Sequence, residues 1–141
     1  MLLMKVQGSV AAELTRLSTC VRRFEERFVR EAAEKGLQYA RSYIPVRSGR
    51  LAQSLRIESH GSLEHHIIIG GSRAPYAPYV EYGTRPHTIL PRRAHALRFE
   101  VKGEIIYRRR VHHPGSRPQL IMRRAAEQVL RDLDELAERL L

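Results

Sequence analysis

The feature that most constrains what this chain can fold into is an unbroken apolar stripe from about Ser9 to Tyr43. Leu14, Leu17, Val21, Phe24 and Phe28 recur at alternating steps of three and four, and Ala32 continues the row. Arg22, Arg23, Glu25, Glu26, Arg27 and Arg30 fill the other faces. That spacing predicts one long amphipathic helix. Gly36 is a point where it bends or weakens. The helix stops near Ile44, because Pro45 drives its predecessor out of helical geometry. A second seam lies at the other end of the sequence. Met122, Ala126, Val129, Leu133, Leu136 and Leu140 recur at steps of four and three in a helix that begins near Pro118. This seam packs either on the first helix of its own subunit or on a neighbour, and the intramolecular arrangement is the commoner for so short a seam.

Between the two helices the pattern changes to turns and short strands. Pro45-Val46-Arg47-Ser48-Gly49-Arg50-Leu51 reads as a turn into a short helix, with Ser48 as candidate N-cap and Leu51 and Leu55 as anchors one turn apart. Residues 56–60 and 64–69 read as strands around Gly61-Ser62, and Gly70-Gly71-Ser72 releases the chain beyond them. Leu97, Phe99 and Val101 alternate with Arg98, Glu100 and Lys102. Gly103 then turns the chain, and Ile105 to Val111 returns antiparallel. Arg108, Arg109 and Arg110 cannot all face one side of a strand, so at least one leaves the solvent face or lies beyond the sheet edge. Edge charge of this kind blocks unwanted strand pairing. The fold class is therefore α+β: a long N-terminal helix, a small antiparallel sheet of about four strands, a short helical knuckle and a C-terminal amphipathic helix. Residues 1–141 read as a single domain, with no repeat, low-complexity tract or linker.

Composition narrows the function classes. A hydrophobic fraction of 43% beside 28% charged residues is ordinary for a globular chain. Lys5 interrupts the apolar start before it can form a signal-peptide core, and no apolar run reaches membrane-spanning length. The one cysteine, Cys20, excludes a disulfide framework and suits synthesis in a reducing cytoplasm; one step before Val21, it reads as a buried or inert thiol. The net charge is +10, and all the basic residues except Lys5, Lys35 and Lys102 are arginine. Arginine grips phosphate and carboxylate in bidentate fashion, which points to nucleic acid or an acidic protein surface. A GC-rich genome produces the same bias without functional meaning.

Catalytic signatures do not assemble. His65-His66 and His112-His113 are adjacent pairs whose members point to opposite faces of a strand, so neither chelates a metal unaided. Gly70-Gly71-Ser72 lacks the lysine and following helix of a phosphate loop, and Glu25-Glu26 suits a solvated helix face. The expectation is a protein that is not an enzyme and carries no metal or cofactor.

The non-catalytic signals are concentrated in Tyr76-Ala77-Pro78-Tyr79-Val80-Glu81-Tyr82-Gly83-Thr84-Arg85-Pro86-His87. Tyrosines three apart fall on one side of a single helical turn. Pro78 suits its first turn, and Gly83 a left-handed stop. The result is a rigid knuckle bearing Tyr76, Tyr79 and Tyr82, the carboxylate of Glu81, and a basic exit through Arg85 and His87. Tyrosine is favoured where one end of a side chain is dry and the other wet, as at a subunit seam. The same rings also suit packing of the knuckle onto its own domain.

Three segments in order resemble a family of small head–tail connection proteins of long-tailed bacteriophages. The turn Pro45-Val46-Arg47-Ser48-Gly49-Arg50-Leu51 is one, and Tyr76-Ala77-Pro78-Tyr79-Val80-Glu81-Tyr82-Gly83-Thr84 is another. The third is His113-Pro114-Gly115-Ser116 with Pro118 before the last helix. The resemblance runs from about Tyr39 to Ala126. It departs from the family at Gln119-Leu120-Ile121, where an aromatic residue is usual, and in the weight of Arg108-Arg109-Arg110. It implies an α+β neck or tail-completion protein of the virion, made in the bacterial host cytoplasm. Such proteins form a ring, six- or twelve-fold, between the portal-side connector or head-closure protein and the tail tube or tail terminator. Double-stranded DNA passes through the lumen without sequence recognition, and no membrane is involved. In such a ring Tyr76, Tyr79, Glu81, Tyr82, Arg85, His87 and His113 are candidate interface residues. Arg108, Arg109 and Arg110 are candidates for contact with lumen DNA or an acidic partner. Two other readings compete: a basic DNA-binding protein gripping phosphates through its arginines, and a toxin-like nuclease, which lacks an acid–base cluster.

Overall fold

The structure is a computed structural model that describes residues 7–45, 49–92 and 94–141. It divides into two compact units, one made of the chain up to Ala74 together with Ile121–Leu141, the other of Pro75–Leu120. The long helix of the first unit, α1, spans Gln7–Tyr43, close to the extent its stripe predicts. The short helix α2, Arg50–Ser54, follows with Gly49 at its N-cap. Ser48, the expected cap, lies outside the described residues. Leu51 and Leu55 are both buried, as one-turn spacing requires of anchors. Strands β1, Arg56–Ser59, and β2, His65–Ile68, pair antiparallel with Arg56 opposite Ile68. The hydroxyl of Ser54 donates to Leu51 O at 2.6 Å and accepts the Gly70 N–H at 3.0 Å, tying the end of α2 to the exit of β2.

The C-terminal helix starts at Ile121, not near Pro118, and it is two helices. The structure also has a short helix α3, Ala77–Tyr82, in the second unit, so these two are α4, Ile121–Arg131, and α5, Leu133–Leu140. The break is at Asp132, whose N–H reaches both Gln128 O and Val129 O, and whose carbonyl starts α5 by accepting the Leu136 N–H. Both helices run antiparallel to α1. Arg124 stacks over the Tyr43 ring at 4.0 Å, Asp132 accepts the Tyr39 hydroxyl, and Arg139 pairs with Glu31. The core of this unit lies along the C-terminal half of α1, where Ala33, Ala40 and, just past the helix, Ile44 are buried along with Ile121, Ala125 and Leu136. The seam therefore packs inside the subunit, but turned by about one residue from the expected Met122 and Ala126. Among the described residues the N-terminal half of α1 is less covered: Val10, Leu14, Leu17 and Val21 are all more than half exposed. Cys20 is exposed as well, contrary to a buried placement.

The second unit holds α3 and four strands: β3, His87–Ile89; β4, Leu97–Val101; β5, Glu104–Arg108; and β6, Val111–His113. The β4–β5 hairpin turns at Lys102-Gly103, with Leu97 opposite Arg108. β3 pairs with β6, a ladder the periodicity does not reveal. Among the described residues the strands thus form three separate two-stranded antiparallel ladders, not one sheet of four. The class stays α+β. The return strand expected to reach Val111 ends at Arg108, so Arg109 and Arg110 lie in the bend between β5 and β6, and all three arginines are exposed.

Candidate functional site

The tyrosine knuckle and the His-Pro-Gly-Ser loop, about 30 residues apart in sequence, close on each other within the second unit. Helix α3 begins with Pro78 in its first turn and ends at Gly83, as its sequence predicts, but with φ 71° and ψ −176° the glycine takes an extended positive-φ conformation and not the left-handed helical one expected. A helix this short leaves its last carbonyls unsatisfied. Here Val80 O accepts the Gln119 N–H at 3.0 Å, and Glu81 O accepts the Leu120 N–H at 3.1 Å. A few residues on, Thr84 and Ser116 exchange backbone hydrogen bonds at 3.0 and 3.1 Å, and their hydroxyls lie 3.1 Å apart.

Two glycines make that approach possible. A Cβ on Gly83 would sit 2.4 Å from Ser116 O, and one on Gly115, at φ 88°, would sit 2.3 Å from Thr84 O. Each glycine thus faces the carbonyl beside its counterpart, and neither position has space for a methyl group. The pairing continues into β3 and β6, where His87 is opposite His113 and the rings stack at 5.1 Å between centroids. The Arg85 carbonyl can only accept, so His87 Nδ1, at 2.8 Å, carries a proton. The Gly115 N–H can only donate, so His113 Nδ1, at 3.0 Å, carries none. Where both rings are neutral these bonds fix opposite tautomers, with Nε2 of His87 an acceptor and Nε2 of His113 a donor.

The clasp sorts the candidate residues into two groups. Tyr79 and Tyr82 are 62% and 75% exposed, and Arg85 and His87 are accessible too. Tyr76 and His113 are half-buried, and Glu81 is 7% exposed, so the knuckle's carboxylate points away from solvent. Three-residue spacing places the tyrosines on one side of the turn, but it does not give them equal exposure. An open hollow of about 750 Å³ lies over the clasp, lined by Tyr79, Thr84, Arg85, His87, His113 and Ser116. Its rim offers a phenol, a guanidinium, two imidazoles and two hydroxyls. That set suits hydrogen bonding to polar or acidic groups of a partner. Arg108, Arg109 and Arg110 belong to the hairpin and its exit and do not line the hollow. No group of three or more metal-ligating side chains occurs among the described residues.

A different polar cluster, which spacing alone does not reveal, lies in the first unit. Asp132 accepts from the Tyr39 hydroxyl, takes a second bond from Gln128 Nε2 at 3.3 Å and stands 3.5 Å from Lys35 Nζ. The bond from Tyr39 holds the Asp132 carboxyl below its ordinary value, with Lys35 and Gln128 assisting, and the same bond raises the Tyr39 phenol. The cluster anchors the α4–α5 break to α1. Its one signal in the sequence is the string Asp132, Asp134, Glu135, which reads as a helix start inside an apparently continuous helix.

Residues 9–83, just over half of the chain, match the family described as "Bacteriophage HK97-gp10, putative tail-component". The matched span runs from the start of α1 through the tyrosine knuckle and ends at Gly83. No curated protein and no solved structure matches the chain.

Proposed function

Because the chain belongs to the HK97-gp10-like family of phage tail components, we propose that it is a structural protein of the virion, acting as a ring at the joint between head and tail. The ring links the portal-side connector or head-closure protein to the tail tube or its terminator, and DNA passes through its lumen. Residues 1–141 act as one connection module in this reading. The role is mechanical, not catalytic, and needs no cofactor.

The observation that carries it is the clasp. A ring is built from heterologous contacts, in which one surface of a subunit meets a different surface of the next, and such contacts need rigid, displayed side chains. Interlocked glycines and paired backbone bonds fix Tyr79, Tyr82, Arg85 and His87 while leaving them accessible. Tyrosine and arginine are among the side chains that most often dominate binding energy at a seam. Tyr76 and His113 support the displayed group from behind, and buried Glu81 serves the knuckle's own fold.

The lumen contact falls to the β4–β5 hairpin. Arg98, Lys102, Arg108, Arg109 and Arg110 outnumber Glu100 and Glu104 there, and none of the five forms an ion pair among the described residues. Such cations are available to phosphate, and the contact is sequence-independent.

Electron microscopy of lysates from the source phage with this gene deleted tests the reading. DNA-filled heads beside unattached tails, or tails of uncontrolled length, are the expected result. Normal tailed particles would overturn it and favour a basic DNA-binding protein acting outside the virion.

A further inference from the structure

Among the described residues, the apolar row Val10, Leu14, Leu17 and Val21 of α1 is left exposed. Among the described residues the Glu31–Arg139 ion pair joins α1 to α5, which ends one residue later at Leu140, and Phe28 and Val29 still border an apolar hollow shared with Met122, Val129 and Leu130 of α4. Residues 10–28 of α1 continue for about another 27 Å beyond that pair, at 1.5 Å per residue. Along this stretch Val10, Leu14, Leu17 and Val21 are 51% to 62% exposed, and Phe24 and Phe28, stacked at 5.8 Å, are half-buried. The steps are four, three, four, three, four, which is the seam of a coiled coil. An isolated helix of this length is marginal in water, so the row is unfinished without cover.

The charges beside the seam identify the occupant. On one flank, at steps of seven, stand Glu13, Cys20 and Arg27; on the other stand Ala11, Ser18 and Glu25. If a second copy lies antiparallel, Leu17 meets Val21 of that copy, Leu14 meets its Phe24 and Val10 its Phe28. In the same register Glu13 faces Arg27, Arg27 faces Glu13, and Cys20 faces Cys20. The opposite flank places Ser18 against Ser18, small enough for close approach. A parallel pair would instead set Glu13 beside Ser18 and Cys20 beside Glu25, with no ion pair on either side. We infer that the free protein is a two-fold dimer, held by residues 10–28 of two copies in an antiparallel coiled coil centred on Leu17 and Val21. The interface is isologous, so it closes at two copies and is distinct from the head-to-tail contacts of a ring. It covers the stripe before assembly.

The test uses the purified full chain. Sedimentation at micromolar concentrations is expected to give a dimer, and Leu17→Asp to weaken it by about tenfold or more. Because Leu17 lies outside the subunit's core, that variant keeps the core fold, and its melt matches wild type at concentrations where both are monomeric. A short bis-maleimide is expected to couple native Cys20 to Cys20 in the wild-type dimer and to fail with Leu17→Asp. Glu13→Arg alone and Arg27→Glu alone are each expected to weaken the dimer several-fold, and the double reversal to restore it. A monomer at all concentrations, a dimer indifferent to Leu17, or a double reversal that fails to restore affinity would each overturn the proposal. None of these outcomes depends on whether the chain serves at the head–tail joint.

Discussion

At the scale of single residues, the clasp rests on two positions where a hydrogen atom cannot be replaced by a methyl group. Gly83→Ala and Gly115→Ala each add strain at positive φ and push a Cβ against a backbone carbonyl, which cannot move aside as a side-chain tip would. Each is expected to cost about 2 kcal/mol or more, measured by denaturant unfolding. Gly71→Ala separates the two causes. It has a φ of 111° but open space around its Cβ position, so only the strain remains and the loss is smaller. The Tyr39–Asp132 pair makes a prediction in pH. The Asp132 carboxyl is lowered below its ordinary 3.8, so its contribution is complete above that value and is lost as pH falls through the folded one. Wild type is therefore expected to lose more of its melting temperature than Asp132→Asn between pH about 6 and the acid limit of the fold. Tyr39 is raised above its ordinary 10.0, so its share persists below that value and is lost only as alkali passes the folded one.

At the scale of elements, Gly36 is where α1 admits a strand. A Cβ there would lie 2.6 Å from Ile67 Cδ1 and 3.4 Å from Val129 Cγ2, so β2 and α4 both press on the helix at a residue without a side chain. Gly36→Ala gains helix propensity and asks only a flexible Ile67 tip to shift, so it is expected to change stability by less than about 1 kcal/mol. Gly36→Leu has no such escape and is expected to destabilise by about 2 kcal/mol or more, read from the urea midpoint. Gly36, expected as a point of bending or weakening, thus also has a packing role. Most elements are legible in the sequence because their signals are local: the stripe of α1, the one-turn spacing of Leu51 and Leu55, and Gly103 between alternating strands. The β3–β6 ladder is not. Its strands are three residues long and their pairing spans His87 to His113, a separation that leaves no periodic trace. Nor does periodicity say what covers an apolar face, which is why the stripe reads as one core and is half core, half surface.

At the scale of the whole molecule, the displayed residues and the basic hairpin make separable predictions. Tyr79→Ala and Tyr82→Ala leave the fold intact, since both rings are exposed, and are expected to reduce the yield of complete particles in a complementation assay. Replacing Arg108, Arg109 and Arg110 with glutamine is expected to flatten the salt dependence of DNA binding, by about one unit of log–log slope for each phosphate no longer neutralised. The candidate site is half legible in the sequence. The knuckle's helix, its proline start and its glycine stop follow from local spacing, whereas the clasp does not, because it depends on Thr84 meeting Ser116 across 32 positions.

The clasp also changes what the residues inside it are free to become. Thr84 and Ser116 fasten the base of everything between them, and Val80 and Gln119 fasten it again just below. The hairpin and the arginine bend therefore hang from a closed base, much as an exchangeable tool bit hangs from a chuck. Changes in the length or chemistry of that hairpin are expected to leave the knuckle undisturbed, because the base is closed independently of what it holds.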